Sequence, residues 1–242
     1  MSEFKLPTET VELPSKGLLY PEDSELAKGV IEIKYMTAKE EDILTNQNYI
    51  SKGTVLDELV KSLIVSDIDY EDLIIGDKNA ILVAARILGY GSEYVFTWGG
   101  EEQNVDLSTL ENKPLNNKIF KKGINEFEFK LPHSNIDITF KLLTGKDEKK
   151  INAEVEGLKK INKNSSAELS TRMKYIITSV EGNREAKDIR EFVDNMFLAR
   201  DSRALREYIN EVQPDVELTF FPEGKTTKVD IPIGLNFFWP DI

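Results

Sequence analysis

The sequence predicts an α+β fold with two related halves, an internal duplication in which each half has helices and a terminal β-hairpin. The first observation is an ungapped match between residues 31–44 and 138–151, at an offset of 107. The second is a match between residues 77–107 and 201–231, at an offset of 124 and in the same order along each half. Such a repeat is too long for a solenoid and implies two units in a pseudo-two-fold arrangement. The alternative is that both stretches follow the same local sequence preferences. Identical residues in the matches include Lys34 and Lys141, Thr37 and Thr144, and Asp77 and Asp201.

Residues 1–29 are expected to form an extended N-terminal arm. Proline fixes its own φ angle and lacks a backbone N–H, so the prolines of this stretch exclude a continuous helix, while its glycines mark turns. These residues are Pro7, Pro14, Pro21, Gly17 and Gly29. The first α+β half is expected at residues 30–115 and the second at 116–242, packed together as one unit. The join at 108–123 is rich in Asn, Lys and turn formers.

In the first half, a short strand at 31–35 alternates apolar and polar residues, as a half-buried strand does. Thr37 followed by Glu40 forms a capping box, the pattern that begins a helix. The stretch AILVAARIL at 80–88 is apolar almost all round and predicts a buried central helix. Further elements are expected as a helix at 54–65, a helix from Asp77 to Gly89 or Gly91, and a hairpin at 93–107.

The second half opens with a β-hairpin, because apolar and polar residues alternate on both sides of a turn at 132–135. Helices follow where apolar residues recur every three or four positions, and Ser165 with Glu168 forms a cap for one of them. Pro214 ends the last helix. The expected elements are the hairpin at 127–142, helices at 145–163, 167–180, 185–198 and 201–212, and a closing hairpin at 216–231.

The composition is that of an ordinary globular protein, with 40% hydrophobic and 31% charged residues. Lys and Arg total 31 against 43 Asp and Glu, and the net charge of −12 repels phosphate backbones, so no nucleic-acid partner is expected. The lack of cysteine excludes disulfides, thiol catalysis and cysteine-ligated metals. The sequence shows neither a signal-peptide pattern nor an apolar stretch that could span a membrane, which favours a cytoplasmic protein.

Five stretches spread over nearly the whole chain point to one protein family. They are LPSKGLLYP at 13–21, GDKNAILVAARILGYGSEY at 76–94, LPHSNIDITFKLLTGKDE at 131–148, ARDSRALREYI at 199–209 and IPIGLNFFWP at 231–240. Together they resemble the T4-type bacteriophage baseplate protein family. The resemblance implies a baseplate hub subunit or a hub assembly factor, with other phage baseplate or hub proteins as partners.

Many members of that family carry a Cys-x-x-Cys pair in each terminal hairpin, as if a zinc ion were clamped between them. This chain has Trp-Gly-Gly at 98–100 and FFPEG at 220–224 in those places. Loss of all four ligands together is expected when packing replaces a structural zinc site. We therefore expect no metal or other cofactor, with Trp98, Phe220 and Phe221 packing the hairpins together.

Residues suited to catalysis are few, and an enzyme is not expected. His133 is the only histidine and lies in a predicted turn, so a Ser-His-Asp triad could use only this residue. An acidic run is similar to a calcium loop but lacks the glycine and the spaced glutamate of an EF-hand. The alternative is a charged turn that caps a helix. The run consists of Asp67, Asp69, Glu71 and Asp72.

Three arginines recur at helical spacing near the end of the chain. Arg200, Arg203 and Arg206 could form a basic stripe for an acidic partner. Asp201 and Glu207 lie among them, so ion pairing within the chain is the alternative.

Two segments offer apolar side chains that either the protein's own core or a partner must cover. One is the aromatic tail, and burial of three aromatic rings is strongly favourable wherever they dock. The other lies in the N-terminal arm, among turn-forming residues. The candidate partner-interface residues are Leu18, Leu19, Tyr20, Phe237, Phe238 and Trp239.

The resemblance implies a phage tail baseplate protein that acts by protein contacts in hub assembly, in the host cytoplasm. A structural hub or baseplate subunit retained in the virion is the alternative within the same class. A hydrolase or calcium-binding enzyme that uses His133 and the acidic run is the alternative from another class.

Overall fold

The computed structural model describes residues 7–116, 118–161, 167–222 and 226–238. In these ranges it contains eight α-helices and nine β-strands, and the strands form small antiparallel sheets. Helices that stand beside separate antiparallel sheets confirm the predicted α+β class. None of the described helices is long and apolar enough to cross a membrane.

Helices and strands are numbered in chain order. The helices are α1 (Ala38–Leu44), α2 (Gln47–Lys52), α3 (Val55–Leu63), α4 (Ile75–Tyr90), α5 (Gly145–Ile161), α6 (Glu168–Ile176), α7 (Ala186–Asn195) and α8 (Ala199–Val212). The strands are β1 (Thr8–Glu12), β2 (Val30–Lys34), β3 (Glu93–Trp98), β4 (Glu101–Asp106), β5 (Phe127–Lys130), β6 (Asp137–Phe140), β7 (Ile177–Val180), β8 (Thr219–Phe220) and β9 (Val229–Asp230).

The beginning of the described chain is a strand rather than an extended arm. β1 pairs antiparallel with β2, and Val11 lies opposite Ile31 with both side chains buried. The loop after β1 returns over the core, where Leu13 is buried. The prediction of an arm at 1–29 is therefore wrong from residue 7 onward, because the apolar residues of this segment join a sheet and the core.

Helix α1 begins with the capping box that the sequence predicts. The Thr37 backbone N–H donates to Glu40 Oε2 over 2.9 Å, and the Thr37 hydroxyl donates to the same oxygen over 2.6 Å. Glu40 is buried, and Lys34 Nζ lies 2.8 Å from its Oε1. The cap and the ion pair together hold the end of β2 against the start of α1.

Helix α4 is the buried helix that the apolar stretch at 80–88 predicts. Ile81, Leu82 and Val83 are successive residues that point in different directions around the helix, and all three are buried. Such a helix needs neighbours on every side, and α3 and β1 are among them.

The three-stranded sheet β5-β6-β7 organises the second half, and β5 with β6 forms the predicted hairpin. The predicted helix at 167–180 is wrong in its last residues, because α6 ends at Ile176 and β7 begins at Ile177. The run Ile177–Val180 is rich in β-branched residues and pairs with β6. Ser165, the predicted cap, lies outside the described residues.

Both predicted closing hairpins are present. β3 and β4 pair from Glu93 opposite Asp106 to Trp98 opposite Glu101. The second hairpin is shorter, because β8 and β9 pair over two residues each.

The halves meet around the start of α4. The Gly145 N–H donates to the Leu73 carbonyl over 3.1 Å, so the backbone of the second half joins that of the first. A Cβ atom on Gly76 would lie 1.8 Å from the Pro214 carbonyl oxygen, and only glycine permits this approach. Buried residues from both halves form one continuous hydrophobic core.

Candidate interaction surface

The buried carboxylate of Asp77, on α4, anchors the loop after β1. Ser15 donates to it twice, from its backbone N–H over 3.0 Å and from its hydroxyl over 2.7 Å. The Tyr20 hydroxyl donates over 2.5 Å and accepts from the Ile74 N–H over 3.1 Å. Burial raises the pKa of Asp77 to about 6, although the hydrogen bonds from Tyr20 and Ser15 oppose the shift. The Asp77 carboxylate therefore holds the loop after β1 in place through hydrogen bonds.

Asp201, at the start of α8, does the same for the turn between β5 and β6. It accepts from the backbone N–H of His133 over 2.8 Å and of Ser134 over 3.0 Å. Burial alone would raise the pKa of Asp201, but these hydrogen bonds lower it below its ordinary value. His133 itself is exposed and touches Asp201 only through its backbone, so these two residues are not arranged as a catalytic pair.

The buried guanidinium of Arg86, on α4, binds three backbone carbonyl oxygens. Nε donates to Phe237 over 2.8 Å, Nη1 to Gly91 over 2.6 Å and Nη2 to Glu93 over 3.0 Å. The side chains of Phe237 and Phe238 are fully buried at 0% exposure. Arg86 thus ties the segment around Phe237 to the end of α4 and the start of β3.

These contacts correct the prediction of a partner interface in the two apolar segments. Leu19, Tyr20, Phe237 and Phe238 are all buried in the protein's own core, so they have no surface to offer. Leu18 is half-buried. Trp239 lies outside the described residues.

The terminal hairpins approach each other through only some of the predicted aromatics. The ring of Phe220 stands edge-on to Phe96, with 5.4 Å between centroids. Trp98 is half-buried and packs against the core. Phe221 is 59% exposed, so it is not a packing residue of the pair, and its prediction as one is wrong. No group of metal-ligating side chains occurs among the described residues.

The acidic run is a capped turn that pairs with lysines at the start of α5. Asp69 accepts from the Glu71 N–H over 3.0 Å. Lys146 Nζ lies 3.0 Å from Asp69 and 2.6 Å from Asp72, and Lys149 Nζ lies 2.6 Å from Glu71. These contacts match the interpretation as a charged turn that caps a helix, here the short 3₁₀ helix at Tyr70–Asp72.

The arginines of α8 differ from one another. Arg203 pairs with Glu207 over 2.8 Å, one turn along the helix, as the alternative of internal pairing expects. Arg206 donates through Nε to the Ser202 carbonyl over 3.3 Å, and within the described parts of the chain no carboxylate pairs with it. Arg200 is exposed.

Arg206 lies at the rim of a groove between α6 and α8. We define this α6/α8 groove by the side chains that both helices present to it at helical spacing, above a floor of Leu142 and Leu143. The cavity in the groove measures about 250 Å³. Its α6 residues are Leu169, Arg172, Met173 and Ile176, and the opposite side is formed by Arg206, Ile209 and Asn210 of α8 and by Gln213, which directly follows α8.

The sequence alone does not predict this groove. The stripe Leu169, Met173 and Ile176 is regular enough to predict a helix with one apolar face, and the last two are buried. Leu169 is 46% exposed, so no element of the described chain covers that end of the face completely.

Comparisons with protein-family models, curated proteins and solved structures find no significant match.

Proposed function

We propose that this chain is a phage tail baseplate protein that acts by protein contacts during assembly of the baseplate hub. The first support is the resemblance of five spaced motifs to the T4-type baseplate protein family. Three of these motifs contain the residues that anchor the fold: Ser15 and Tyr20, Asp77 and Arg86, and Asp201. These three motifs therefore contain side chains whose hydrogen bonds hold the fold together.

The structural observation that carries the proposal is the α6/α8 groove. A strip of apolar surface beside Arg206, which pairs with no carboxylate among the described residues, is suited to a protein partner, since interfaces combine an apolar centre with a polar rim and are enriched in arginine. The buried carboxylates Asp77 and Asp201, in contrast, are occupied by hydrogen bonds inside the chain.

We also infer that the two halves arose by duplication. Lys34 at the end of β2 and Thr37 before α1 both contact Glu40, and their counterparts between β6 and α5 make the same contacts with Asp147. Lys141 Nζ lies 2.7 Å from Asp147, and the Thr144 N–H donates to Asp147 over 3.2 Å. Asp77 and Asp201 each anchor the turn that follows a Leu-Pro pair. The two halves can be superposed in an experimental structure. If Asp77 and Asp201 do not coincide in that superposition, the inference is refuted.

Co-expression with candidate hub proteins, followed by pull-down from the full chain, tests the functional proposal. A stable complex with at least one hub component is the expected result. If the folded chain binds no tail protein, the baseplate assignment is wrong.

The role of a structural subunit retained in the virion is the alternative within the same proposal. Mass spectrometry of purified mature particles separates the two. An assembly factor is expected to be absent from the particle, whereas a structural subunit is present in a fixed ratio to the other hub proteins.

A further inference from the structure

The α6/α8 groove is lined by side chains from two helices. The side chains that line it from α6 follow the spacing i, i+3, i+4, i+7 and those from α8 the spacing i, i+3, i+4, so each helix presents one face to the groove. Ridges of side chains on a third helix fit between two such faces. Recognition of an amphipathic helix in an apolar groove is a recurrent mode of peptide binding.

The size and lining of the groove favour a single large apolar side chain as the anchor. Met173 and Ile176 form buried walls, and Leu169 stands half-exposed at one end. A cavity of about 250 Å³ lies below the roughly 300–1,000 Å³ of ordinary small-molecule sites. One leucine, isoleucine or phenylalanine side chain is the natural occupant.

The positive charge of Arg206 at the rim of the groove indicates which charge a partner should carry. Arg172 is paired with Glu148 through two hydrogen bonds, and Lys141 is paired with Asp147 over 2.7 Å. Arg206 is exposed and has no carboxylate partner among the residues described. In a chain of net charge −12, this guanidinium is a local site of attraction for a carboxylate.

We propose that the α6/α8 groove binds an amphipathic, acidic helix of a partner protein, with one apolar side chain in the cavity and an Asp or Glu, one turn away, paired with Arg206. The inference rests on the proposed function, because it names the site and the chemistry of the protein contact.

The test measures the binding of a fluorescein-labelled synthetic helical peptide to the full chain by fluorescence anisotropy. The peptide carries Leu at i, i+3, i+4 and i+7, Glu on the flanking positions and Ala elsewhere. A second peptide has Lys in place of every Glu. The wild-type chain is expected to bind the Glu peptide at least tenfold more tightly than the Lys peptide, and the difference is expected to shrink as salt is added.

Leu169→Asp and Arg206→Glu are each expected to weaken binding of the Glu peptide at least tenfold. Arg200→Glu is the matched control, because it makes the same charge change on the same helix outside the groove, and it should change the affinity less than twofold. All three positions are exposed, so the melting temperature checks that each variant is folded. Equal affinity for both peptides, or an equal effect of Arg200→Glu and Arg206→Glu, overturns the proposal.

Two further results separate the possible occupants. If sedimentation shows a wild-type dimer that Arg206→Glu dissociates, the groove binds a second copy and the proposal is wrong. If the chain captures a hub protein but binds neither peptide, the groove is not the contact while the proposed function stands. If the chain binds the Glu peptide and no tail protein, the groove stands and the baseplate function is wrong.

Discussion

Tyr20 donates its hydroxyl hydrogen to the carboxylate of Asp77 over 2.5 Å, across a separation of 57 residues in the sequence. Ser15, the other donor to this carboxylate, is neutral like Tyr20. Asp77 is therefore a buried acid held by neutral groups, and burial raises its pKa from 3.8 to about 6.

The first prediction concerns the pH dependence of stability that Asp77 causes. Between pH 3.8 and about 6, the native state keeps a proton that the unfolded state has lost. This contribution to the free energy of unfolding is complete below pH 3.8 and is lost as the pH rises through about 6. Its size is about 3 kcal/mol. Urea unfolding across this range should show the loss, and Asp77→Asn should remove it. The same slope in both proteins would contradict the assignment.

The second prediction is that the pH dependence of stability that Asp201 causes has the opposite sign to that of Asp77. Its pKa is lowered in the native state, so its contribution is present above the ordinary carboxyl pKa and is lost as the pH falls through the native value. Asp201→Ala leaves the N–H groups of His133 and Ser134 without their acceptor, which should cost about 2 to 3 kcal/mol. Glu211→Ala, at an exposed site on the same helix, is the control and should change stability by less than about 0.5 kcal/mol.

The third prediction concerns two glycines inside helices. Gly76→Ala should destabilise the protein severely although alanine favours a helix, because its Cβ would meet the Pro214 carbonyl oxygen at 1.8 Å. Gly157→Ala in α5 should instead stabilise by about 0.5 to 1 kcal/mol, since nothing lies within 4 Å of the new Cβ. Thermal unfolding of the two variants measures the contrast. Similar melting temperatures would mean that the backbone contact at Gly76 is absent.

The fourth prediction is that Arg86→Lys is not a conservative change. Lysine keeps the charge, but one ammonium group cannot reach the carbonyls of Phe237, Gly91 and Glu93 together. A loss of about 3 kcal/mol is expected in chemical unfolding. Arg203→Lys is the matched control, because Arg203 makes a single exposed ion pair, and it should leave stability almost unchanged.

Features whose partners are close in sequence were predictable. Thr37 and Glu40 are three residues apart, and the capping box that this spacing predicts is present. The bond between Tyr20 and Asp77 was not predictable, because nothing local specifies a partner 57 residues away. For the same reason, the sequence of the segment before β2 resembles an arm, although its apolar side chains belong to the core.

The end of α6 shows a different limit. Apolar residues at 173, 176, 177 and 180 fit a helix, whereas the β-branched run from Ile177 fits a strand equally well. Residues 177–180 form a strand because they pair with the edge of β6, and that edge exists only in the folded protein. The α6/α8 groove was missed in the same way, since a helical stripe predicts an apolar face without saying how completely a neighbour covers it.

The hydrogen bond from Arg86 to Phe237 joins residues 151 positions apart. During translation, Arg86 is therefore synthesised long before Phe237, whose carbonyl oxygen accepts its hydrogen bond. The first half contains local helices and the β3-β4 hairpin, which need no later residue, but it cannot reach its final packing until the ribosome has synthesised residue 237. Contacts of such long range slow folding, so the packing around the end of α4 is expected to be completed late.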